Sequence, residues 1–311
     1  MAEKLSEGIT EKPRRSKLTE LFIRMVKEKP LGTLGAVITL LLLLTGIFAN
    51  YLAPYGMNAI HPTHALEGPS SQFLLGTDNL GRDLLSRIIF GARISVIVGL
   101  VATLISTFIS VFLGILSAYI GGIFDLLIQR FVDAVLCVPS LILLMLLISI
   151  MGTGMWQVII LLGVAGGISG SRMIRSLVIG IKENMYVQSA EAIGATTWKI
   201  VIQHILPNIM APIIIIFSMT VPSVILAEAG LSFLGFGIPP PTPSWGGMLS
   251  GNTARFMIQA PGLAFWPGFA LALVVYGVNM FGDALRDLLD PRLRGGVGRY
   301  GMKVKLQRRD K

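Results

Sequence analysis

The residues that most often perform catalysis or bind metals are few in this sequence and lie far apart. The one cysteine, Cys137, falls within an apolar run, where a small buried side chain is a more common role than a reactive thiol. His61 and His64 are close enough in sequence to share a metal, but no cysteine or carboxylate cluster accompanies them. We therefore predict no catalytic residue, no metal site and no cofactor-binding site in this chain.

Sequence patterns of nucleotide-binding proteins and hydrolases are also missing. The chain contains no G-x-x-x-x-G-K-[ST] segment, whose backbone amides would hold the phosphates of ATP. Residues 167–171, GISGS, begin like the nucleophile elbow G-x-S-x-G, but the second glycine comes one residue too early. We expect a protein that is not an enzyme, and any ATP that it needs must be bound by partner subunits.

Glu228 is the single ionisable side chain whose position most suggests a functional role. It follows a charge-free run of 23 residues, 205–227, and lies near the outer end of a predicted membrane span. An ionisable group at such a depth usually faces a cavity or a partner helix. We expect Glu228 on a translocation pathway or its gate, and a plain position at the membrane interface is the alternative.

The composition is that of a chain embedded in a bilayer. Of 311 residues, 53% are hydrophobic and 14% are charged, whereas ordinary soluble domains carry about 25% charged residues. The net charge of +9 comes from basic residues that flank apolar runs and form no single patch. Membrane topology explains that charge better than nucleic-acid binding does, so we predict an all-α polytopic membrane protein.

Charge-free runs predict six transmembrane helices, since about 20 apolar residues cross a bilayer. The interval 134–171 is too long for one span, and MGTGM at 151–155 divides it. The predicted spans are 31–52, 94–120, 134–150, 156–173, 205–227 and 265–282.

Prolines and glycines within these spans carry further expectations. Pro139 in the third span, with Pro212 and Pro222 in the fifth, predicts kinks. The fourth span has two overlapping patterns of small residues four apart, which let a neighbouring helix approach closely. These glycines are Gly163, Gly166, Gly167 and Gly170.

The distribution of Lys and Arg sets the orientation. With six spans and a cytoplasmic N-terminus, the outer segments hold only Arg82, Arg87, Arg93 and Arg255, and the other 22 of the 26 basic residues lie inside. The predicted order is a cytoplasmic segment 1–30, the first span 31–52, an extracytoplasmic loop 53–93, a core 94–284 and a cytoplasmic basic tail 285–311. Both termini are then cytoplasmic.

The outer loops carry their own predictions. Over 77–93 we expect an amphipathic helix, capped by Thr77 or Asp78 and stabilised by an ion pair between Asp83 and Arg87. Glu67, Asp78 and Asp83 balance the three nearby arginines to zero formal charge. The PPPTP segment at 239–243 should be stiff and extended, either as a structural cap or as a contact for a binding protein.

The stretch 182–206 lies between the fourth and fifth spans and predicts a cytoplasmic hairpin. A short helix over 182–193 should end at Gly194 in a left-handed conformation, and Thr196 or Thr197 should cap a second helix. Pro207 suits the first turn of the following span. The hairpin is either a solvated connector or a docking surface for a soluble partner.

The second helix of this hairpin has an apolar pattern with helical spacing. Trp198, Val201, Ile202 and Ile205 recur at i, i+3, i+4 and i+7. We therefore expect these four side chains to share one buried face.

This hairpin resembles the EAA loop of bacterial ABC importer permeases, which reads EAA, three residues, G, nine residues, then I-x-L-P. The spacing is kept, and the matching residues are Gln188, Ser189, Ala190, Gly194, Leu206 and Pro207. Gln188 stands where the family has glutamate, Ser189 replaces the first alanine, and His204 replaces the isoleucine. The resemblance implies that the hairpin couples the chain to a separate ATPase subunit.

Three further segments are similar to permeases of peptide and nickel importers, in particular to the second, C-type permease subunit of dipeptide and oligopeptide systems. They lie at 75–99, 231–249 and 279–293, and the resemblance extends from about residue 20 to 295. It implies the type I ABC importer permease fold and a multi-pass position in the cell membrane.

The same resemblance implies the partners and the cargo. The expected partners are a homologous second permease, two ATP-binding cassette subunits, an extracytoplasmic binding protein that delivers peptides, and membrane lipid, with no nucleic acid. A permease for nickel chelates or glutathione is the alternative within the family. An autonomous secondary transporter is a further alternative, but the two halves of the chain show no internal repeat.

Overall fold

The computed structural model describes residues 17–251 and 255–289, and the regular elements in these two ranges are helices. The other residues, including most of the predicted segment 1–30 and tail 285–311, lie outside the described part. The helices are α1 Lys17–Glu28, α2 Pro30–Ile47, α3 Ala49–Leu52, α4 Leu84–Ile120, α5 Gly122–Leu136, α6 Ser140–Met151, α7 Met155–Lys182, α8 Met185–Ala192, α9 Thr197–Ile200, α10 Leu206–Phe233, α11 Trp245–Met248 and α12 Gly262–Leu289, with a 3-10 turn at Pro62–His64 and a π turn at Val201–Ile205.

Five of these helical segments are long and apolar enough to cross a membrane, and α5 with α6 makes a sixth if the pair counts as one span. The all-α polytopic fold is therefore confirmed. Four of the spans extend beyond the ranges expected from sequence; α4, for example, begins ten residues before 94. The helix α10 continues through Pro212 and Pro222 without a break.

The third predicted span, 134–150, is wrong as a single helix. The chain instead forms α5 and α6, which meet at a 90° bend near Pro139. The 12 residues of α6 extend only about 18 Å, too short for the ~30 Å core of a bilayer. Cys137, expected to be buried, lies exposed at this bend.

The helix α5 begins between the second and third predicted spans, and ion pairs hold it against α7. Arg175 donates from Nε to Asp125 Oδ1 at 2.6 Å and from Nη2 to Oδ2 at 2.5 Å. Arg172 pairs with Asp133, about two turns further along α5. This two-pronged guanidinium–carboxylate geometry resists rotation as well as separation, so α5 and α7 are tied together.

The expected helix over 77–93 is also wrong, because the helix begins later and is continuous with the second span. Asp83 is the N-cap of α4: its carboxylate accepts from the backbone N of Ser86 at 2.8 Å and from the Ser86 hydroxyl at 2.6 Å. Arg87 has Asp78 as its ion-pair partner, not Asp83. Preceding residues form a loop in which Thr77 and Asp83 make an isolated bridge.

The remaining loop predictions have mixed outcomes. His64 Nδ1 lies 2.5 Å from Glu67 Oε2, and both His61 and His64 pack on the ring of Phe73. Within the described residues, no group of three or more His, Cys, Asp or Glu side chains could hold a metal. The 239–243 segment is not extended, because Pro240 and Pro241 lie in a turn.

The long helices run between two ends of the bundle: α2 and α10 run in one direction, and α4, α7 and α12 run in the other. We call the end with residues 183–205 the hairpin end, and the end with residues 53–83, 234–251 and 255–261 the loop end. At the loop end, Arg93 donates to Gly46 O and Asn50 Oδ1, both at 3.0 Å. At the hairpin end, Lys29 Nζ lies 2.5 Å from Asp287 Oδ2. The start of α2 and the end of α12 therefore lie side by side at the hairpin end.

The glycines of α7 bring this helix very close to α4, as their spacing predicted. A Cβ atom added at Gly167 would lie 2.6 Å from Ile109 Cβ, and one added at Gly163 would lie 2.6 Å from Ile105 Cγ2. The Ser110 hydroxyl donates to Gly167 O at 3.0 Å. These two helices pack along most of their shared length, so they form the rigid centre of the bundle.

Candidate coupling hairpin and buried carboxylate

The hairpin connects α7 to α10 at one end of the bundle, where sequence spacing placed it. Its first helix is α8, which begins three residues later than the expected 182. Gly194 follows it with a φ of +80°, the left-handed conformation that the sequence predicted. Thr196 precedes α9 in an extended conformation, although its side chain makes no capping hydrogen bond.

A pair of backbone hydrogen bonds closes the turn after α8. The amide of Ala195 donates to Ala190 O, and the amide of Gly194 donates to Glu191 O, both at 3.0 Å. This is the Schellman arrangement, which satisfies the last carbonyls of a helix and requires positive φ at one residue. The angle between α8 and α9 therefore depends on the backbone of Gly194.

One face of the hairpin is buried against the long helices. Val187, Ala190, Ile200 and Ile205 are at most 7% exposed, and they form one hydrophobic cluster with residues of α4, α7 and α10. Burial of these four apolar side chains holds the hairpin firmly to the bundle. A displacement of the hairpin must then move these helices as well.

The other face presents large apolar side chains to the exterior. Ile193 is 86% exposed, Met185 is 83% exposed and Trp198 is 73% exposed. The prediction that Trp198 and Ile202 belong to the buried face is wrong, since Ile202 is also exposed. The buried side chains are instead Ile200 and Ile205, which lie five residues apart, the spacing that the π turn sets.

The same π turn accommodates Pro207 at the start of α10. A proline donates no hydrogen bond, and its ring collides with the carbonyl four residues earlier in a regular helix. Over the π turn, the amide of Leu206 donates to Val201 O, five residues back. Thus α9, the π turn and α10 form one continuous segment that runs from the hairpin into the membrane span.

The residues that match the family motif divide between the two faces. Gln188 and Ser189 are exposed, and their side chains donate to Glu183 O and Met185 O respectively. Ala190 is buried, Leu206 is half-buried, and Pro207 and Gly194 are exposed. Their role in coupling remains a prediction.

Glu191 is a nearby acidic residue that is out of register with the family motif. It lies exposed on α8, three residues after Gln188. Positions three apart share a helix face, so the exposed side of α8 carries a carboxylate although Gln188 replaces the family's glutamate. The signal was visible in the sequence, but only the helix places it on the outer face.

Glu228 lies inside the chain, near the loop end of α10. It is 1% exposed, and the Ser232 hydroxyl donates to its Oε1 at 2.7 Å. Ser232 Oγ in turn accepts from the Ile238 amide at 3.2 Å, and the Ser244 hydroxyl lies beside the same carboxyl. The carboxyl group of Glu228 thus holds loop 234–244 to the end of α10. A role for Glu228 on the translocation pathway or its gate stays a prediction.

We expect Glu228→Gln to lower transport without releasing the partner subunits. The exchange weakens a hydrogen bond that contributes about 1 kcal/mol to docking of the outer loop, while the hairpin is at the opposite end. Uptake and co-purification of the ATPase should be measured together. Ser232→Ala removes the donor of the same bond and should act in the same direction; normal uptake in both variants would return Glu228 to a purely structural position.

Comparisons with known proteins agree with this architecture. Residues 110–295 match the family described as binding-protein-dependent transport system inner membrane component. Residues 17–69 match the N-terminal TM domain of oligopeptide transport permease C.

Individual relatives match over nearly their whole length. The chain is 36% identical over 271 residues to the dipeptide transport system permease protein DppC of Alkalihalophilus pseudofirmus, covering 87% of this chain and 89% of that protein. It is 37% identical over 288 residues to the glutathione transport system permease protein GsiD of Pectobacterium atrosepticum, covering 92% and 95%. It is 35% identical over 268 residues to the oligopeptide transport system permease protein OppC of Bacillus subtilis, covering 86% and 88%.

Proposed function

The chain belongs to the family of binding-protein-dependent transport system inner membrane components, and on that basis we propose that it forms half of the translocation pathway of a peptide importer. It is a multi-pass inner membrane protein and the permease component of an ABC importer for peptides or glutathione, not the ATPase. A homologous permease completes the pathway, two ATPase subunits supply energy, and an extracytoplasmic protein delivers the cargo.

The observation that carries the coupling role is the two-sided hairpin. Its inner face is buried against α4, α7 and α10, while Ile193, Met185 and Trp198 are exposed on the outside. Isolated exposed apolar residues are ordinary, but several together on a short rigid element are typical of a protein-binding surface. An ATPase that binds this face and closes on ATP would move the long helices as rigid bodies.

The proposed orientation rests on the coupling role and on the distribution of basic residues. The hairpin end is cytoplasmic, because the ATPases need cytoplasmic ATP and most basic residues belong to that side. The helix α7 has 28 residues, or about 42 Å, which is long enough to separate the hairpin from the loop end across the bilayer. The loop end then faces the binding protein.

Cysteine labelling tests this orientation. In a chain that carries Cys137→Ser, we expect Thr63→Cys and Thr153→Cys to react with a membrane-impermeant maleimide in intact cells. Thr197→Cys, on the hairpin, should react only after the membrane is permeabilised. Labelling of Thr197→Cys in intact cells would reverse the orientation and remove the basis for ATPase docking.

Dipeptides or oligopeptides are the proposed substrates. Two of the three relatives above carry dipeptide and oligopeptide names, and the third carries glutathione, which is itself a tripeptide. The test is uptake of a labelled dipeptide into proteoliposomes that contain the complete complex and its binding protein, with unlabelled competitors. We expect peptides to compete and glutathione to compete poorly; uptake of glutathione without uptake of peptides would replace this proposal by the alternative.

A further inference from the structure

A cavity of about 400 Å³ opens at the loop end, between the start of α4 and loop 234–250. Its lining includes Asp78, Arg82 and Arg87 on one side, and Thr242 and Met248 on the other. Cavities of this size accommodate small ligands or a protruding side chain. Unlike the apolar cavity among α2, α4, α10 and α12, this one is lined by charged groups.

Arg87 is buried beside this cavity with few partners. It is 7% exposed, and among the described residues its guanidinium has two polar contacts. Nη1 donates to Pro241 O at 3.5 Å, and Nε lies 3.6 Å from Asp78 Oδ2. A guanidinium has five N–H donors, and its bonds to carboxylates normally measure about 2.7–2.9 Å. Most of the hydrogen-bonding capacity of Arg87 is therefore unused.

The carboxylate of Asp78 already accepts hydrogen bonds from groups other than Arg87. Its Oδ2 accepts from Arg82 Nε at 2.7 Å, and its Oδ1 accepts from the amides of Leu80 and Arg82 at 2.9 and 3.0 Å. Arg82 is thus the close partner of Asp78, and Arg87 is the distant one.

The other two acidic residues of this loop do not neutralise the second arginine. Asp83 caps α4 through Ser86, and Glu67 pairs with His64. Acidic and basic residues are equal in number in the sequence of this loop, but they are not equal around the cavity. The cavity lining has two guanidinium groups and one carboxylate. A buried charge without a close partner is costly, and an added carboxylate would relieve that cost.

We propose that this cavity binds a carboxylate through Arg87, with Arg82 adding positive charge at its edge. The inference rests on the proposed function, because only then does the loop end face the delivered cargo. The planar guanidinium matches a carboxylate with two parallel hydrogen bonds. Two sources supply this chemistry outside the membrane: the C-terminal carboxylate of a peptide substrate, and an acidic side chain of the binding protein.

Matched variants isolate the site. Arg87→Gln removes the proposed ligand-binding group. Arg93→Gln removes the same charge from the same end of the bundle, outside the cavity lining, where Arg93 donates to Gly46 O, Ile47 O and Asn50 Oδ1. Thr242→Glu keeps Arg87 but places a carboxylate within the cavity wall. It should compete with an external carboxylate, so it tests the site even if Arg87→Gln folds poorly.

The first measurement uses the complete complex in nanodiscs without binding protein, titrated with dialanine and with dialanine amide. If the substrate supplies the carboxylate, dialanine should bind and its amide should not. Affinity should fall at least about tenfold in Arg87→Gln and Thr242→Glu, the range expected for removing one partner of a buried charge pair. Arg93→Gln should bind as the wild type does.

The second measurement titrates ATP hydrolysis with binding protein. If the binding protein supplies the carboxylate, the concentration of binding protein that gives half-maximal ATP hydrolysis should rise at least about tenfold in Arg87→Gln and Thr242→Glu. It should not rise in Arg93→Gln. If Arg87→Gln and Thr242→Glu weaken binding in either measurement while Arg93→Gln does not, the result supports the site and identifies the source of the carboxylate. If all three variants behave alike in both measurements, the proposal is overturned. A wild-type complex that ignores binding protein would contradict the proposed function itself, and this inference with it.

Discussion

Replacing Gly194 by valine is expected to abolish coupled transport while leaving the chain in the membrane at nearly its normal level. Gly194 has a φ of +80° and no heavy atom within 4 Å of where a Cβ would stand, so the penalty is conformational and not a collision. A left-handed β-branched residue costs about 1–3 kcal/mol, and each 1.4 kcal/mol changes an equilibrium about tenfold. Relief of that strain reorients α8 against α9, so uptake and ATPase binding should be measured in the same membranes.

Two other substitutions distinguish backbone strain at Gly194 from a general effect of a larger side chain. Gly194→Asn should retain most activity, because asparagine tolerates the left-handed region. Gly180→Val, on α7, places valine where the space is also open and φ is not in the left-handed region. Normal uptake by Gly194→Val with its ATPases bound would mean that the hairpin is only a connector.

Gly167→Leu is expected to prevent assembly of the bundle, with a large loss of chain from the membrane. A Cβ at this position would lie 2.6 Å from Ile109 Cβ and 3.1 Å from Ser106 O, and leucine adds three further carbons. Overpacking of a well-packed core costs about 1–3 kcal/mol and occasionally more. Here backbone as well as side chains must move apart, so we expect the upper end of that range. Membrane abundance and thermal stability in detergent are the measurements.

The matched control lies on the same helix. At Gly180 an added Cβ meets no heavy atom within 4 Å, so Gly180→Leu should insert and accumulate like the unmodified chain. If Gly167→Leu accumulates equally well and melts at the same temperature, the close contact of α4 with α7 is not what holds the bundle together.

Local backbone rules account for the parts of the structure that the sequence could predict. Gly194 after a short helical segment indicated a left-handed turn, and the structure contains it. Glycines four apart in α7 indicated close helix packing, and the separations at Gly163 and Gly167 agree. Both features depend on the absence of a side chain, which is visible in the sequence itself.

Other features depend on contacts between distant segments, and hydropathy alone does not reveal them. The interval after 121 is apolar enough for a span, but ion pairs to α7 hold α5 while the chain bends near Pro139. Trp198 fits a helical stripe, yet α9 packs Ile200 against the long helices and leaves Trp198 exposed.

Charge counting failed at the loop end for a similar reason. The acidic and basic residues of 53–93 are equal in number. However, the carboxylate of Asp83 caps α4 and that of Glu67 pairs with His64, so neither neutralises an arginine at the cavity. Only the three-dimensional arrangement shows that Arg87 has a distant partner and a cavity beside it.

The most direct test of the central claim is a photo-cross-link from the exposed face of the hairpin. A photoreactive amino acid at Ile193, which is 86% exposed, should capture an ATP-binding cassette subunit in the complete complex, identified by mass spectrometry through its phosphate-binding loop. The same group at Ile258, 93% exposed at the loop end, should capture no ATPase. An ATPase cross-linked from Ile258, or none from Ile193 in a complex that transports, would contradict the proposal that this hairpin couples ATP hydrolysis to the membrane helices.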